Sequence, residues 1–413
     1  MLGQTFASLS NYNFRLYFCG QLVSLIGTWM QIIGQSWLVL ELTHSSIALG
    51  FVSALQFTPI LATVLFAGVL VDRLPKHRLL LITQSASLLQ ASVLAFLTVS
   101  GLVQLWHIYV LAFTLGLLNA FDQPTRQAFI FELVGKEHVM NAVGLNSAQV
   151  NMAKLVGPAI GGLVIARWGV GVCFMLNAGS FLAVLISLGL LRREAFRAMP
   201  ARIGQRAIFR ELGDGVRFLL SRPDLTVVVI LLMGLGAFVY STSSIIPLIA
   251  QDALHVGASQ FGLLVAAVGC GSLAAALVIA TGGRWLERTL LASATGFGAL
   301  YMALAFVRSF AVAMVVLVLL GCCLQWFGTL TNSLLQLGSP DQLRGRVMSV
   351  FTLLTNGITP IGALFMGFMT AWGGIRSTLI VEASVCLVAV VLAMLYRRRA
   401  SGLPRREPLI ASY

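Results

Sequence analysis

Apolar residues dominate the chain in twelve long runs, near 16–40, 46–71, 79–100, 105–121, 143–166, 172–191, 225–250, 260–281, 289–307, 310–332, 347–371 and 376–396. Each is about the length an α-helix needs to cross a membrane, roughly 20 residues. Short polar segments separate them, and the pattern predicts twelve transmembrane helices. The runs divide six and six around a basic connector, Arg192 to Asp224. Its stretch from Ile208 to Leu220 reads as an amphipathic interfacial helix. The expected organisation is therefore an N-terminal six-helix half over 1–191, a cytoplasmic connector over 192–224, a C-terminal six-helix half over 225–396 and a basic tail over 397–413.

Composition supports an all-α membrane protein. The 413 residues are 58% hydrophobic and 10% charged, with a mean hydropathy of +0.92. Soluble domains are nearer 45–50% apolar and about 25% charged. The net charge of +13 belongs to topology rather than to nucleic acid, because the basic residues sit in loops. Of 27 Lys and Arg, all but four fall on the side that holds both termini and the connector. Arg167, Arg308 and Arg376 lie on the other side, and Lys154 lies inside a run. The asymmetry places both termini in the cytoplasm of a multi-pass protein of a bacterial inner membrane. The six cysteines all fall in apolar runs without metal spacing and read as small buried hydrophobes. No Walker loop or HExxH is present, and no Ser/His/Asp set shares a cleft. The chain is expected not to be an enzyme, and to need no cofactor.

Polar positions inside the runs mark candidate chemistry. Gln21, Ser24, Thr28, Gln31 and Gln35 share one face of the first helix. Amides in hydrocarbon are costly unless they face protein or water, so this stripe reads as cavity lining or as interhelical hydrogen bonding, with Gln31 and Gln35 foremost. Ser147, Asn151 and Lys154 form a second stripe on the fifth helix. An ammonium at that depth needs an anion, carbonyls or water. Lys154 is read as a contact for an anionic substrate group, as half of an ion pair, or as a titrating group. The second half offers Tyr240, Gln325, Trp326, Asn332 and Asn356 as further substrate contacts. Acids are scarce. Glu41 ends the first helix on the outer side and Glu382 lies early in the twelfth. Asp122, with Arg126, is expected to close an inner gate against Arg344 or Arg346, or simply to cap a helix end.

Two motifs carry a resemblance. Gly68-x-x-x-Asp72-Arg73-x-x-Lys76-x-Arg78, after the second run, resembles the cytoplasmic loop signature of the major facilitator superfamily. On the fifth run, Gly144, Ala153, Gly157-Pro158 and Gly161-Gly162 resemble the antiporter signature of its drug exporters, with Ala153 in place of one glycine. Segments such as Phe121-Asp-Gln-Pro-Thr-Arg-Gln-Ala-Phe129 are similar to the enterobactin-exporter-like branch. Position 112, where many drug/proton antiporters carry an arginine, is Ala112. The resemblance implies two pseudo-symmetric halves, alternating access and export of hydrophobic or amphipathic small molecules, drug or siderophore-like, driven by the proton gradient. It implies a conformational latch at Gly68, Asp72 and Arg73, and a bend at Pro158. The alternative is a lipid or lysolipid flippase of the same fold. Expected partners are the small-molecule substrate and membrane lipid, with the chain itself monomeric.

Overall fold

The computed structural model describes residues 7–192, 208–280 and 286–400, and every long element among them is helical. A 3₁₀ turn, Ala7–Ser10, leads into α1 (Tyr12–Thr43), α2 (Ser46–Arg73) and α3 (Lys76–Val99). Then come α4 (Leu105–Gly135) and α5 (His138–Trp168), followed by α6 (Val170–Gly189). The connector supplies α7 (Ile208–Ser221), within one residue of the amphipathic segment expected there. After it run α8 (Pro223–Leu248), α9 (Ala258–Ala280), α10 (Leu286–Leu304) and α11 (Phe310–Leu337). Helix α12 (Asp341–Thr352) passes through a π-helical turn, Leu353–Gly357, into α13 (359–373), and α14 (375–400) completes the described chain.

Glycines in the left-handed region set the breaks. Gly135, at φ 71°, separates α4 from α5, and Gly374, at φ 77°, separates α13 from α14. A side chain at such φ is strained. The second break reverses the chain: the Thr370 and Thr378 hydroxyls meet at 3.0 Å, whereas eight helical residues would advance about 12 Å. The segment 342–399, long and apolar enough to be a span in its entirety, is 58 residues long and therefore crosses twice. Among the described residues, eight segments pass as spans by length and composition alone, nine if α7 and α8 count as one bent span. The fourth run was expected to end at residue 121, yet α4 continues to Gly135 because Asp122, Thr125 and Arg126 are accommodated as helix with inward partners.

The chain divides into two compact units, Met1–Gly204 with Val256–Gly269, and Gln205–His255 with Cys270–Tyr413. In unit 1, α1 packs on α5 and α6, α2 on α4, and α3 on α4 and α6. Phe14, Tyr17, Leu80, Phe129, Leu133, Val184 and Leu188 form the core at the end where α1 and α3 begin. That end is stitched by polar clasps. Asn13 Nδ2 donates to the Arg192 carbonyl at 2.9 Å, and the Arg192 amide donates back to Asn13 Oδ1 at 3.0 Å. The Ser8 amide and hydroxyl reach Asn141 and the His138 carbonyl. In unit 2, α8 packs on the α13–α14 hairpin, α10 on α11 and α14, and α7 on α12. There Arg346 Nη1 meets Asp214 Oδ2 at 2.8 Å.

The outer surfaces are apolar. Ile82, Leu89 and Phe96 follow one another at seven-residue steps on α3 and are each about two-thirds exposed. Such a face would be an aggregation liability in water and suits lipid tails. Trp106, Trp168 and Trp372 lie exposed at helix ends, where indoles favour the membrane–water boundary. Cys19 and Cys270, expected to be buried, are exposed on this apolar surface.

Candidate functional site

The glycines of α5 decide how closely its polar stripe approaches α1. A Cβ on Gly157 would stand 2.6 Å from Trp29 Cβ and 2.8 Å from the Ile26 carbonyl oxygen. One on Gly161 would stand 2.9 Å from Ile33 Cδ1. Ala153 on the same face is fully buried. The small-residue face is thus the α1–α5 seam, the close packing that small residues permit in membranes. Pro158 is buried in α5. Gly162 meets Gly262 at the start of α9 almost backbone to backbone.

That seam places Lys154 against Trp29. The ammonium nitrogen stands 5.6 Å from the centre of the indole ring, within the range of a cation–π contact worth about 0.5–2 kcal/mol. Among the described residues no carboxylate lies within 4.0 Å of it. Of the three readings of Lys154, the ion pair is therefore the one this arrangement does not supply. Lys154 and Asn151 are both half-buried. Nothing along the chain singles out Trp29, since only the α1–α5 seam brings it under the lysine. Further along α1, the Trp37 indole N–H donates to Glu41 Oε1 at 2.6 Å, and the Trp37 ring stacks on Phe261 at 5.5 Å.

The α1 stripe turns inward. Gln31, read as a foremost lining residue, is buried and bound at both ends of its amide. Its Nε2 donates to Gln90 Oε1 at 3.3 Å, and its Oε1 accepts from Asn177 Nδ2 at 2.6 Å. Gln90 reaches on to the Leu111 carbonyl, and Ser180 to Asn177. The residue therefore ties α1, α3, α4 and α6 together rather than standing open. Gln35 is buried, and its Nε2 has no acceptor among the described residues. Thr28 donates to the Ser24 carbonyl and lines a cavity inside unit 1.

That cavity, about 30 Å³, is walled by α1, α3, α4 and α6 and has Asp122 and Arg126 in its lining. Asp122 is buried and saturated from within the unit. Oδ1 accepts from the Thr83 hydroxyl and from Gln84 Nε2, each at 2.8 Å, and Oδ2 faces Arg126 Nε at 2.8 Å. The expected closure of Asp122 and Arg126 against Arg344 or Arg346 thus has different local partners. Arg346 takes Asp214, and Arg344 Nε donates to the Gln336 carbonyl at 3.2 Å. The physical reason is proximity along the fold: Arg126 is one turn from Asp122, and α7 lies on α12.

In unit 2, Glu382 is buried with Oε1 lacking a donor among the described residues, in a core that also holds Tyr301 and Cys386. The Tyr301 hydroxyl donates to Thr242 at 3.2 Å. Gln325 donates to Thr329 at 3.1 Å, Trp326 is half-buried beside it, and Asn332 accepts from Gln336. Asn356 sits in the π-helical turn of Leu353–Gly357. These contacts do not join Gln325, Trp326, Asn332 and Asn356 into one cluster. Gly68, Asp72 and Arg73 lie in α2, but their side chains, and that of Tyr240, fall outside the described residues.

The model of the family described as transmembrane secretion effector matches residues 3–406. The chain belongs to that family, a branch of the major facilitator superfamily. As a transmembrane secretion effector it is a multi-pass membrane transporter, not an enzyme. Its relatives span nearly its whole length. It is 26% identical to the staphyloferrin A transporter of Staphylococcus aureus, over 93% of this chain and 96% of that one. It is 27% identical to the multidrug efflux pump Tap of Mycolicibacterium fortuitum, over 90% and 93%. It is 26% identical to the enterobactin exporter EntS of Citrobacter koseri, over 95% and 92%. Among solved structures, a bacterial homologue of the lysosomal transporter Spinster, inward-facing and unoccupied, superposes with a TM-score of 0.73 at 13% identity, over 96% of this chain and 98% of that one. The nucleoside transporter NupG gives 0.70 at 14%, over 93% and 99%. At these identities the likeness speaks for the fold alone.

Proposed function

We propose that this transporter exports amphipathic small molecules carrying an anionic or strongly electron-rich group, by alternating access and in exchange for protons, with Lys154 and Trp29 as the recognition pair. One observation carries the reading: a half-buried ammonium held against an aromatic face, with no carboxylate within 4.0 Å among the described residues. A lysine in a membrane interior normally finds an acid or water. A cation left on a π face keeps two of its three donors for a ligand, and the indole beside it offers a flat apolar wall. Asn151, one turn from Lys154, adds an amide to the same stripe. Relatives named for staphyloferrin A and enterobactin support a siderophore-like substrate, and the multidrug efflux pump Tap supports a drug-like one. The basic loops support termini in the cytoplasm.

Proteoliposomes loaded with matched anionic, neutral and cationic amphipaths test the reading. The wild-type chain is expected to move the anionic member fastest. Lys154→Gln is expected to slow that member at least tenfold and the cationic one by less than threefold. Preferential movement of the cationic member, unchanged by Lys154→Gln, overturns the proposal.

A further inference from the structure

The cavity of unit 1 is a site in its own right, remote in chemistry from the Lys154–Trp29 pair. Its walls hold two buried carbonyl oxygens with no donor among the described residues, Gln21 Oε1 and Gln84 Oε1. Both residues are more than nine-tenths buried. The orientation of Gln84 is fixed by chemistry. A carboxylate only accepts, so Nε2 must face Asp122 and Oε1 must face away. Close by on α1, the Tyr17 hydroxyl is buried without a hydrogen-bond partner among the described residues and lies in the field of Asp122 and Arg126. Unpartnered buried polar atoms each carry a penalty of about 1–3 kcal/mol, and three of them gather round one ion pair.

Elimination identifies the occupant. Two lone acceptor oxygens repel an anion. The Arg126 guanidinium repels a resident metal cation. A neutral donor fits both, and about 30 Å³ exceeds the about 10–15 Å³ a cavity needs to hold water. That water would stand against the Asp122 carboxylate. In the ionised state Asp122 offers nothing to the lone oxygens. Once protonated it becomes a donor to the chamber water, which in turn can donate to them.

We propose that this cavity is the proton-loading site: a hydrated chamber in which Asp122 exchanges its contact with Arg126 for a proton. This rests on the reading of proton exchange given above. In the step, a chamber water gives a proton to Asp122 Oδ2 and takes one in turn from the bulk water. A carboxyl O–H bond forms, a water O–H bond breaks, and the Arg126 Nε–H···Oδ2 hydrogen bond opens. The chamber gains one positive charge, carried by the guanidinium. Thr83 and Gln84 keep Oδ1 in place throughout, so the acid need not move. The charges that face Asp122 are few. Arg126 lies on its own helix, and Tyr17 is the titratable group on α1. The facing α3 residues are the neutral Thr83 and Gln84, and α6 presents Phe181. The Lys76–Glu132 pair is ten residues further along α4, about 15 Å.

The test reads substrate-triggered proton movement and substrate counterflow in the same proteoliposomes. Asp122→Asn imitates the loaded acid and keeps the Oδ1 contacts. It is expected to cut proton movement at least tenfold while counterflow falls less than threefold. Gln21→Leu removes one lone oxygen and displaces water, and is expected to slow proton movement at least threefold. It decides the matter if Asp122→Asn does not fold. Wild-type proton movement in both variants overturns the proton-loading site and leaves antiport standing. Absence of proton movement in the wild-type chain, with counterflow present, overturns antiport and the site with it.

Discussion

Gly157→Ala should destabilise the chain through one added methyl group. The new Cβ would lie 2.6 Å from Trp29 Cβ and 2.8 Å from the Ile26 carbonyl oxygen. Carbon atoms pack at about 3.5–4.0 Å, so α1 and α5 would have to part by about 1 Å. One obstacle is backbone, which cannot rotate away. Overpacking of this kind costs about 1–3 kcal/mol. Alanine also gains up to about 1 kcal/mol over glycine inside a helix, so the net loss is about 0–2 kcal/mol. Gly144→Ala on the same helix isolates the second effect, because nothing stands within 4 Å of its Cβ. Thermal unfolding of purified protein in detergent should rank Gly144→Ala at or above wild type and Gly157→Ala below it. At about 1 °C per kcal/mol for a chain of this length, the two variants should differ by about 1–3 °C. The displaced atom belongs to Trp29, so Gly157→Ala should also weaken anionic-substrate transport more than Gly144→Ala does. Equal melting points for the two variants would refute a tight α1–α5 seam at this position.

Two further outcomes follow from the clasps at the ends of the units. Asn13→Ala removes the reciprocal pair of bonds to Arg192, each worth about 0.5–1.5 kcal/mol net, and leaves the amide and carbonyl of that exposed residue to water. It should cost about 1–3 kcal/mol, seen as a lower melting point and as faster proteolysis near residue 192. Arg346→Ala breaks a pair whose side chains are 35% and 41% exposed. Solvent screens such a pair, so the loss should be below about 1 kcal/mol and should vanish in high salt, as melting curves at two ionic strengths would show.

Fold class was legible because membrane spanning imposes one length and one polarity on every helix. The connector helix was legible from its period, and the α5 glycines from their spacing, which does form a close seam. Side-chain destinations were less so. A polar stripe on α1 has one face but several possible partners. Whether Gln31 meets solvent or Gln90 and Asn177 depends on the rotation of α3 and α6, which α1 does not encode. The sequence pairs Asp122 with Arg126, as the fold does, but its further partners Thr83 and Gln84 were not legible there. Thr83 and Gln84 follow one another on α3, a signal that becomes readable only when α4 is placed beside it. Trp29 escaped notice for the same reason: its partner is on another helix.

The central claim is that export of an electron-rich amphipath is exchanged for protons. The most direct measurement is the pH inside sealed proteoliposomes, followed with a trapped dye as anionic, neutral and cationic amphipaths are added in turn. The account predicts a pH change opposite in direction to substrate movement, largest for the anionic compound and abolished by a protonophore. Substrate crossing with no change in internal pH, or a change driven by the cationic compound alone, would contradict it.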